Sequence, residues 1–198
     1  MAPLHHSELI LGGARSGKSR HALAQARQSA GPAVFLATAQ ALDGQMKARI
    51  ARHQAERSRG FTTVEEPFDI VSACRRLAGR YELALLDCLT LWVSNRLLRG
   101  DGDDAILTEA DALATLMAER LLSLVLVSNE VGEGVHPPTE VGQRFRDLRG
   151  SVNQRVAAGA DRVTLMVAGI PLSIKDALPQ RKVGFVHPGE HDRAPEAP

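Results

Sequence analysis

The chain lacks an excess of charge of either sign: 24 Lys and Arg stand against 23 Asp and Glu in 198 residues. Proteins that track nucleic acid or an anionic membrane carry a single-sign field, so this balance favours a small substrate over a polymer and predicts no nucleic-acid partner. Cysteine is scarce as well. Cys74 and Cys88 do not stand in metal-ligand spacing, and two cysteines without a signal sequence point to a reducing compartment, where both are expected as free thiols. Residues 1–8 lack the basic stretch and apolar core of a secretory signal, and the longest apolar run, 121–127, is too short to span a bilayer. The expectation is a cytoplasmic protein with no membrane insertion. The pair His5-His6 is too short to predict a metal site.

What is present is enough apolar material, 44% of residues, for one ordinary globular domain. Short apolar runs at 8–11, 33–37, 82–86, 122–127 and 163–167 alternate with longer amphipathic stretches. Buried strands separated by helices give an α/β fold with a mostly parallel central sheet in three layers. Helices are predicted over 19–30, 45–57, 69–77, 89–98, 108–120 and 141–159, the first halted by Gly31-Pro32. No Gly or Pro separates the helix ending at Arg120 from the run that follows, so the boundary there is weakly marked. Composition turns to Pro, Gly, His and charge after Lys175. A single domain over 1–188 and a tail over 189–198 are expected.

The segment Gly12-Gly13-Ala14-Arg15-Ser16-Gly17-Lys18-Ser19 satisfies G-x-x-x-x-G-K-[ST] in full, after an apolar strand and before a helix. Small residues let backbone N–H groups turn inward around phosphate oxygens, and the following helix aims its positive end at the same charge. Lys18 can reach the β- and γ-phosphates, and the Ser19 hydroxyl can ligate the Mg²⁺ that accompanies a nucleoside triphosphate. Such a site also wants an acidic group at the end of a neighbouring strand. Asp87, directly after Leu83-Ala84-Leu85-Leu86, fits as a second metal-associated residue; an Asp there also fits a plain helix cap.

A P-loop does not by itself distinguish kinase, ATPase and GTPase. Beyond it come Ala37-Thr38-Ala39, Met46 with Arg49-Ile50 and His53, Asp87-Cys88-Leu89-Thr90, Ser128-Asn129-Glu130-Val131-Gly132, Val152-Asn153-Gln154-Arg155 and Gly169-Ile170-Pro171. In this order, over most of the chain, these segments resemble the bifunctional adenosylcobinamide kinase/adenosylcobinamide-phosphate guanylyltransferase family, CobU or CobP. The resemblance implies a P-loop NTPase-like fold and two reactions. ATP or GTP phosphorylates the aminopropanol hydroxyl of adenosylcobinamide, and GTP then gives GMP to that phosphate through a GMP-histidine intermediate, yielding adenosyl-GDP-cobinamide. It places the nucleophile at His53 and extends the nucleotide-contacting set to Gln54, Ala55, Glu56 and Arg57, to Ala37, Thr38 and Ala39, and to Glu65, with Glu66 as its rival. It also implies a homotrimer.

An imidazole suits the assigned step. Its neutral lone pair is available near pH 7 to attack an α-phosphorus, dividing one transfer into two, and Lys47, Arg49, Arg52 and Arg57 lie nearby in sequence. Those cations fit a solvated helix face equally well, as Ala37-Thr38-Ala39 fits an ordinary βα loop. Arg144, Arg146 and Asn153 read as one helical side that could meet a corrinoid amide, a neighbouring subunit or solvent. Two other readings compete: a switch GTPase, which would carry an N-K-x-D guanine-reading segment that is absent, and a small-molecule P-loop kinase with no use for His53.

Overall fold

A computed structural model describes residues 5–41, 44, 47–48, 50–51, 61–130 and 136–177. Its strands are β1 (Ser7–Gly12), β2 (Ala33–Ala37), β3 (Thr62–Glu65), β4 (Leu83–Asp87), β5 (Ser123–Val127), β6 (Arg162–Val167) and β7 (Ile170–Asp176). The helices bounded among the described residues are α1 (Lys18–Ala26), α2 (Ile70–Leu77), α3 (Leu89–Arg99), α4 (Asp103–Glu119) and α5 (Glu140–Gly159). Strand order is β3-β2-β4-β5-β1-β6-β7, parallel throughout except for β7 against β6.

The continuous apolar runs are explained by burial on both faces. Successive residues of a strand point to opposite sides, and the core divides accordingly. Leu9, Val34, Leu36, Ala84, Leu86, Leu124 and Leu126 pack with the apolar faces of α2 to α5, around Trp92 and Leu113. Ile10, Phe35, Leu83, Leu85, Val125 and Val127 face the other way, onto Ala22, Leu23 and Ala26 of α1.

The five predicted strands are present, and the structure adds two. β3 is short and mostly exposed, and exposed residues on an edge strand need no apolar pattern to hold them. β7 pairs antiparallel with β6 across a two-residue turn in which Ala168 (φ 52°) and Gly169 (φ 84°) both lie in the left-handed region, the geometry a tight hairpin requires. α1 stops at Ala26 rather than 30, and α4 begins at Asp103 rather than 108, with Asp103 and Asp104 in its first turn, where the helix dipole favours carboxylates. Arg120 closes α4 in the left-handed conformation usually left to Gly. Its side chain is anchored on the His5 carbonyl (2.8 Å) and the Asp161 carboxylate (2.5 Å), so tertiary contacts supply a stop that the local residues do not encode. Cys74 and Cys88 are buried free thiols, as expected. The predicted helix over 45–57 falls largely, and the tail of 189–198 wholly, outside the described residues.

Candidate active site at the carboxyl edge of the sheet

Parallel register brings several site residues into one row. Glu65 pairs with Ala37, Ala37 with Asp87, Asp87 with Val127, and Val127 with Ile10, two residues before the P-loop. Ligands of open α/β sheets bind outside the carboxyl ends of the strands, and that edge carries the loop from Gly12 to Ser19.

The loop is held by backbone contacts. The Gly12 carbonyl accepts from Glu130 N at 2.9 Å, and the Ser16 carbonyl accepts from Gly169 N at 2.9 Å, so β5's exit and the β6–β7 turn both buttress it. Gly12 adopts φ 149°, and a Cβ there would lie 2.5 Å from the Met166 carbonyl oxygen and 2.6 Å from Ser16 Oγ; only glycine fits. Gly17, at φ 97°, turns the chain into α1, whose first turn has neither a side-chain cap nor an acidic residue. A helix start left in that way presents its N–H groups and dipole to an anion. Lys18 is 7% exposed and reaches back over the loop to donate to the Gly13 carbonyl at 2.6 Å. Gly13, Ala14 and Arg15 are exposed at the crest, and Ser16 Oγ is buried with no partner. Ser19 is half-buried in the first turn of α1.

Asp87 ends β4, half-buried, and α3 has no side-chain cap bond, so Asp87 does not serve as the helix cap that its position also suggested. One hydroxyl and one carboxylate are a meagre donor set for a free ion, and among the described residues no group of three His, Cys, Asp or Glu could hold a metal. Magnesium normally keeps waters and takes phosphate oxygens alongside one or two protein ligands, so Ser19 and Asp87 fit Mg²⁺ arriving with a nucleotide.

Thr38 is fully buried. Its Oγ1 accepts from Cys88 N and donates to the Cys88 carbonyl, both at 2.8 Å, while Asn95 Nδ2 donates to the Thr38 carbonyl at 2.7 Å. The Thr38 side chain therefore ties the ends of β2 and β4 together, leaving Ala37 and Ala39 as its small neighbours. The two adjacent glutamates also part. Glu66 Oε1 accepts from Phe68 N (3.1 Å) and Asp69 N (2.9 Å), capping the approach to α2, and Oε2 lies 3.5 Å from Arg76. Glu65 is exposed at the end of β3. His53, with Gln54, Ala55, Glu56 and Arg57, lies outside the described residues.

The segment after β5 rests on a network that the sequence did not disclose. Arg149 of α5, 1% exposed, donates through Nη1 to the Asn129 carbonyl and sets Nη2 3.6 Å from Glu130 Oε1. Burial holds its guanidinium below the usual arginine range, partly offset by Glu130. Asn153 accepts from Ser128 Oγ at 2.7 Å and donates to the Asn129 carbonyl at 3.2 Å, and Asn129 N donates to Thr90 Oγ1 at 2.9 Å. Asn153 is thus an internal support. Arg144 and Arg146 are engaged elsewhere, by Asp103 and by Asp147 with His136, so the three do not form one outward face. Arg149 looks like any solvated helix residue in one dimension; only its occurrence beside Asn153 at helical spacing hinted at a buried polar seam.

A phosphate-cradling loop between the first strand and first helix of a parallel sheet defines the P-loop nucleotide-binding class. Solved structures agree on the fold: a KaiC-like protein from Pyrococcus horikoshii OT3 (TM-score 0.50, 16% identity, 82% of this chain and 71% of that one) and an ATPase of a bacterial type III secretion system (TM-score 0.52, 12% identity, 85% and 56%). The family model described as cobinamide kinase / cobinamide phosphate guanyltransferase matches residues 8–174, and the chain belongs to that family. The bifunctional adenosylcobalamin biosynthesis protein CobP of Pseudomonas aeruginosa is 44% identical over 168 residues, covering 85% of this chain and 96% of that protein. The corresponding CobU of Escherichia coli K12 is 38% identical over 179 residues, covering 84% and 98%.

Proposed function

We propose that this chain is a bifunctional enzyme of cobalamin biosynthesis that phosphorylates adenosylcobinamide and then transfers GMP to the phosphate it has made. The observation that carries this reading is the complete Gly12–Ser19 cradle at the carboxyl edge of the sheet, with Asp87 at the same edge ending β4, which β5 separates from β1, in a chain that matches the family over residues 8–174. A plain P-loop kinase is not favoured, because relatives matched over nearly their whole length, 96% and 98%, are named as bifunctional.

In the first reaction the backbone N–H groups of residues 13–19 and Lys18 bind the triphosphate of ATP or GTP and neutralise charge on the γ-phosphoryl group. The acceptor hydroxyl oxygen forms a bond to the γ-phosphorus, the nucleoside diphosphate leaves, and the hydroxyl proton passes to solvent. Ser19 and Asp87 would hold the Mg²⁺ that accompanies the nucleotide, and the ion would supply further charge neutralisation. In the second reaction a nitrogen of His53 bonds to the α-phosphorus of GTP and pyrophosphate leaves. An oxygen of adenosylcobinamide phosphate then displaces the imidazole, regenerating His53. Exposed Glu65, the small residues Ala37 and Ala39, and the 54–57 segment belong to the nucleotide-contacting set. By the same resemblance the enzyme is a homotrimer, a mass that light scattering reads directly, and its cysteine usage fits the cytoplasm.

The test is incubation with α-labelled GTP. Wild type acquires label that is labile in acid and stable in base, the signature of a P–N bond, and His53→Ala does not. His53→Ala retains the kinase step, whereas Lys18→Met impairs both. Absence of label on wild type refutes the guanylyltransferase reading, and equal label on His53→Ala refutes the assignment of the nucleophile.

A further inference from the structure

The opposite edge of the sheet holds a second, unassigned polar cavity. Strands β1, β4, β5 and β6 begin there, and α1 ends at Ala26 before covering them. The result is a cleft of about 370 Å³ whose lining includes His6, Glu8, Gln25, Glu82, Ser123 and Arg162. Glu8 is the anomaly: a carboxylate inside the apolar run of a central strand, 1% exposed. Thr164 Oγ1 donates to its Oε1 at 2.6 Å, but Oε2 has no hydrogen-bond partner among the described residues. A buried carboxylate oxygen without a donor is costly. Gln25 repeats the pattern, with Nε2 engaged by His21 Nε2 at 3.1 Å and a buried Oε1 that has no partner.

The unmet groups are all acceptors, so the missing ligand is a donor. Charge points the same way. Arg162 is Glu8's register partner on β6, yet its Nε lies 3.4 Å from Asp176 on β7 and makes no ion pair with Glu8. Burial, and then Arg162, hold the His6 imidazole below its ordinary value. Two carboxylates, Glu8 and Glu82, against one guanidinium leave a single net negative charge along the lining. The carboxyl end of α1, which Arg27 closes, lies at the same edge. A metal is disfavoured, since no group of three His, Cys, Asp or Glu suited to one occurs among the described residues. We propose that this cleft binds a primary organic ammonium ion, whose N–H groups donate to Glu8 Oε2 and Gln25 Oε1.

The experiment is calorimetric titration of the full chain with propylammonium chloride, with tetramethylammonium chloride and potassium chloride as parallel arms at equal ionic strength. Saturable binding of propylammonium alone is expected, weakened about tenfold or more in Glu8→Gln, which keeps the shape but loses the charge of the acceptor. No saturable binding to wild type, wild-type affinity in Glu8→Gln, or equal binding of potassium or tetramethylammonium overturns the proposal. Circular dichroism checks the fold of the variant. Should Glu8→Gln not fold, Gln25→Leu on the half-exposed face of α1 decides by the same two outcomes: weakened binding supports the site and unchanged binding overturns it.

Discussion

Replacing Thr38 by Val tests how the active edge is held together. The two side chains have nearly the same shape, so the substitution leaves the packing volume almost unchanged and removes only the hydroxyl. That hydroxyl serves both backbone groups of Cys88, each at 2.8 Å, at a site with no solvent exposure. Val therefore removes the acceptor of the buried Cys88 N–H, while the Cys88 carbonyl keeps its bond from Trp92 N at 3.2 Å. A buried donor left without its acceptor costs about 1–3 kcal/mol, a sizeable share of a small domain's stability. Thr38→Ser keeps the hydroxyl and gives up one methyl, at a cost of about 1 kcal/mol. Urea unfolding followed by circular dichroism measures both, with unchanged m-values as the check that stability alone has moved. A Thr38→Val chain within about 0.5 kcal/mol of wild type, or one no worse than Thr38→Ser, would refute the clamp.

Arg149→Met keeps most of the buried side-chain volume but abandons the Asn129 carbonyl and Glu130; it should cost about 2–4 kcal/mol in the same urea assay. Because Asn129 and Glu130 lie beside the loop, KM for the nucleotide should rise as well. Glu66→Ala removes the acceptor for Phe68 N and Asp69 N and should lower stability by about 1 kcal/mol, whereas Glu65→Ala, exposed at the strand end, should leave stability unchanged and alter only nucleotide affinity. Burial pushes the Cys74 thiol up to about 12 from the ordinary thiol value of about 9. The folded state thus binds that proton more tightly than the unfolded state, so the contribution is present below pH 9 and is lost as pH rises through 9 to 12, by up to about 4 kcal/mol. Cys74→Ala should flatten that part of the alkaline stability profile, and a profile parallel to wild type would contradict it.

Much of the molecule is legible in one dimension where a residue type carries a local physical demand. Gly12 and Gly17 occupy backbone conformations that other residues resist, and their spacing to Lys18 and Ser19 is set by the size of a phosphate chain, so the cradle could be read from eight consecutive residues. Apolar runs marked the five central strands because burial on both faces favours apolar side chains at most positions. The edges β3 and β7 escaped notice because their residues are largely exposed and answer to pairing rather than burial.

What tertiary structure alone decided is which polar residues lie inside. Glu65 and Glu66 are neighbours in sequence and of the same type, yet one is exposed at a strand end and the other caps a helix approach. Arg144 and Arg149 lie on the same helix, one paired at the surface with Asp103 and the other sealed beneath Asn129. Burial and hydrogen-bond partners are properties of elements brought together from distant parts of the chain, so no local pattern announces them. For the same reason Glu8, the first residue of an apolar run in the sequence, becomes informative once β6 supplies Thr164 for one of its oxygens and nothing among the described residues donates to the other.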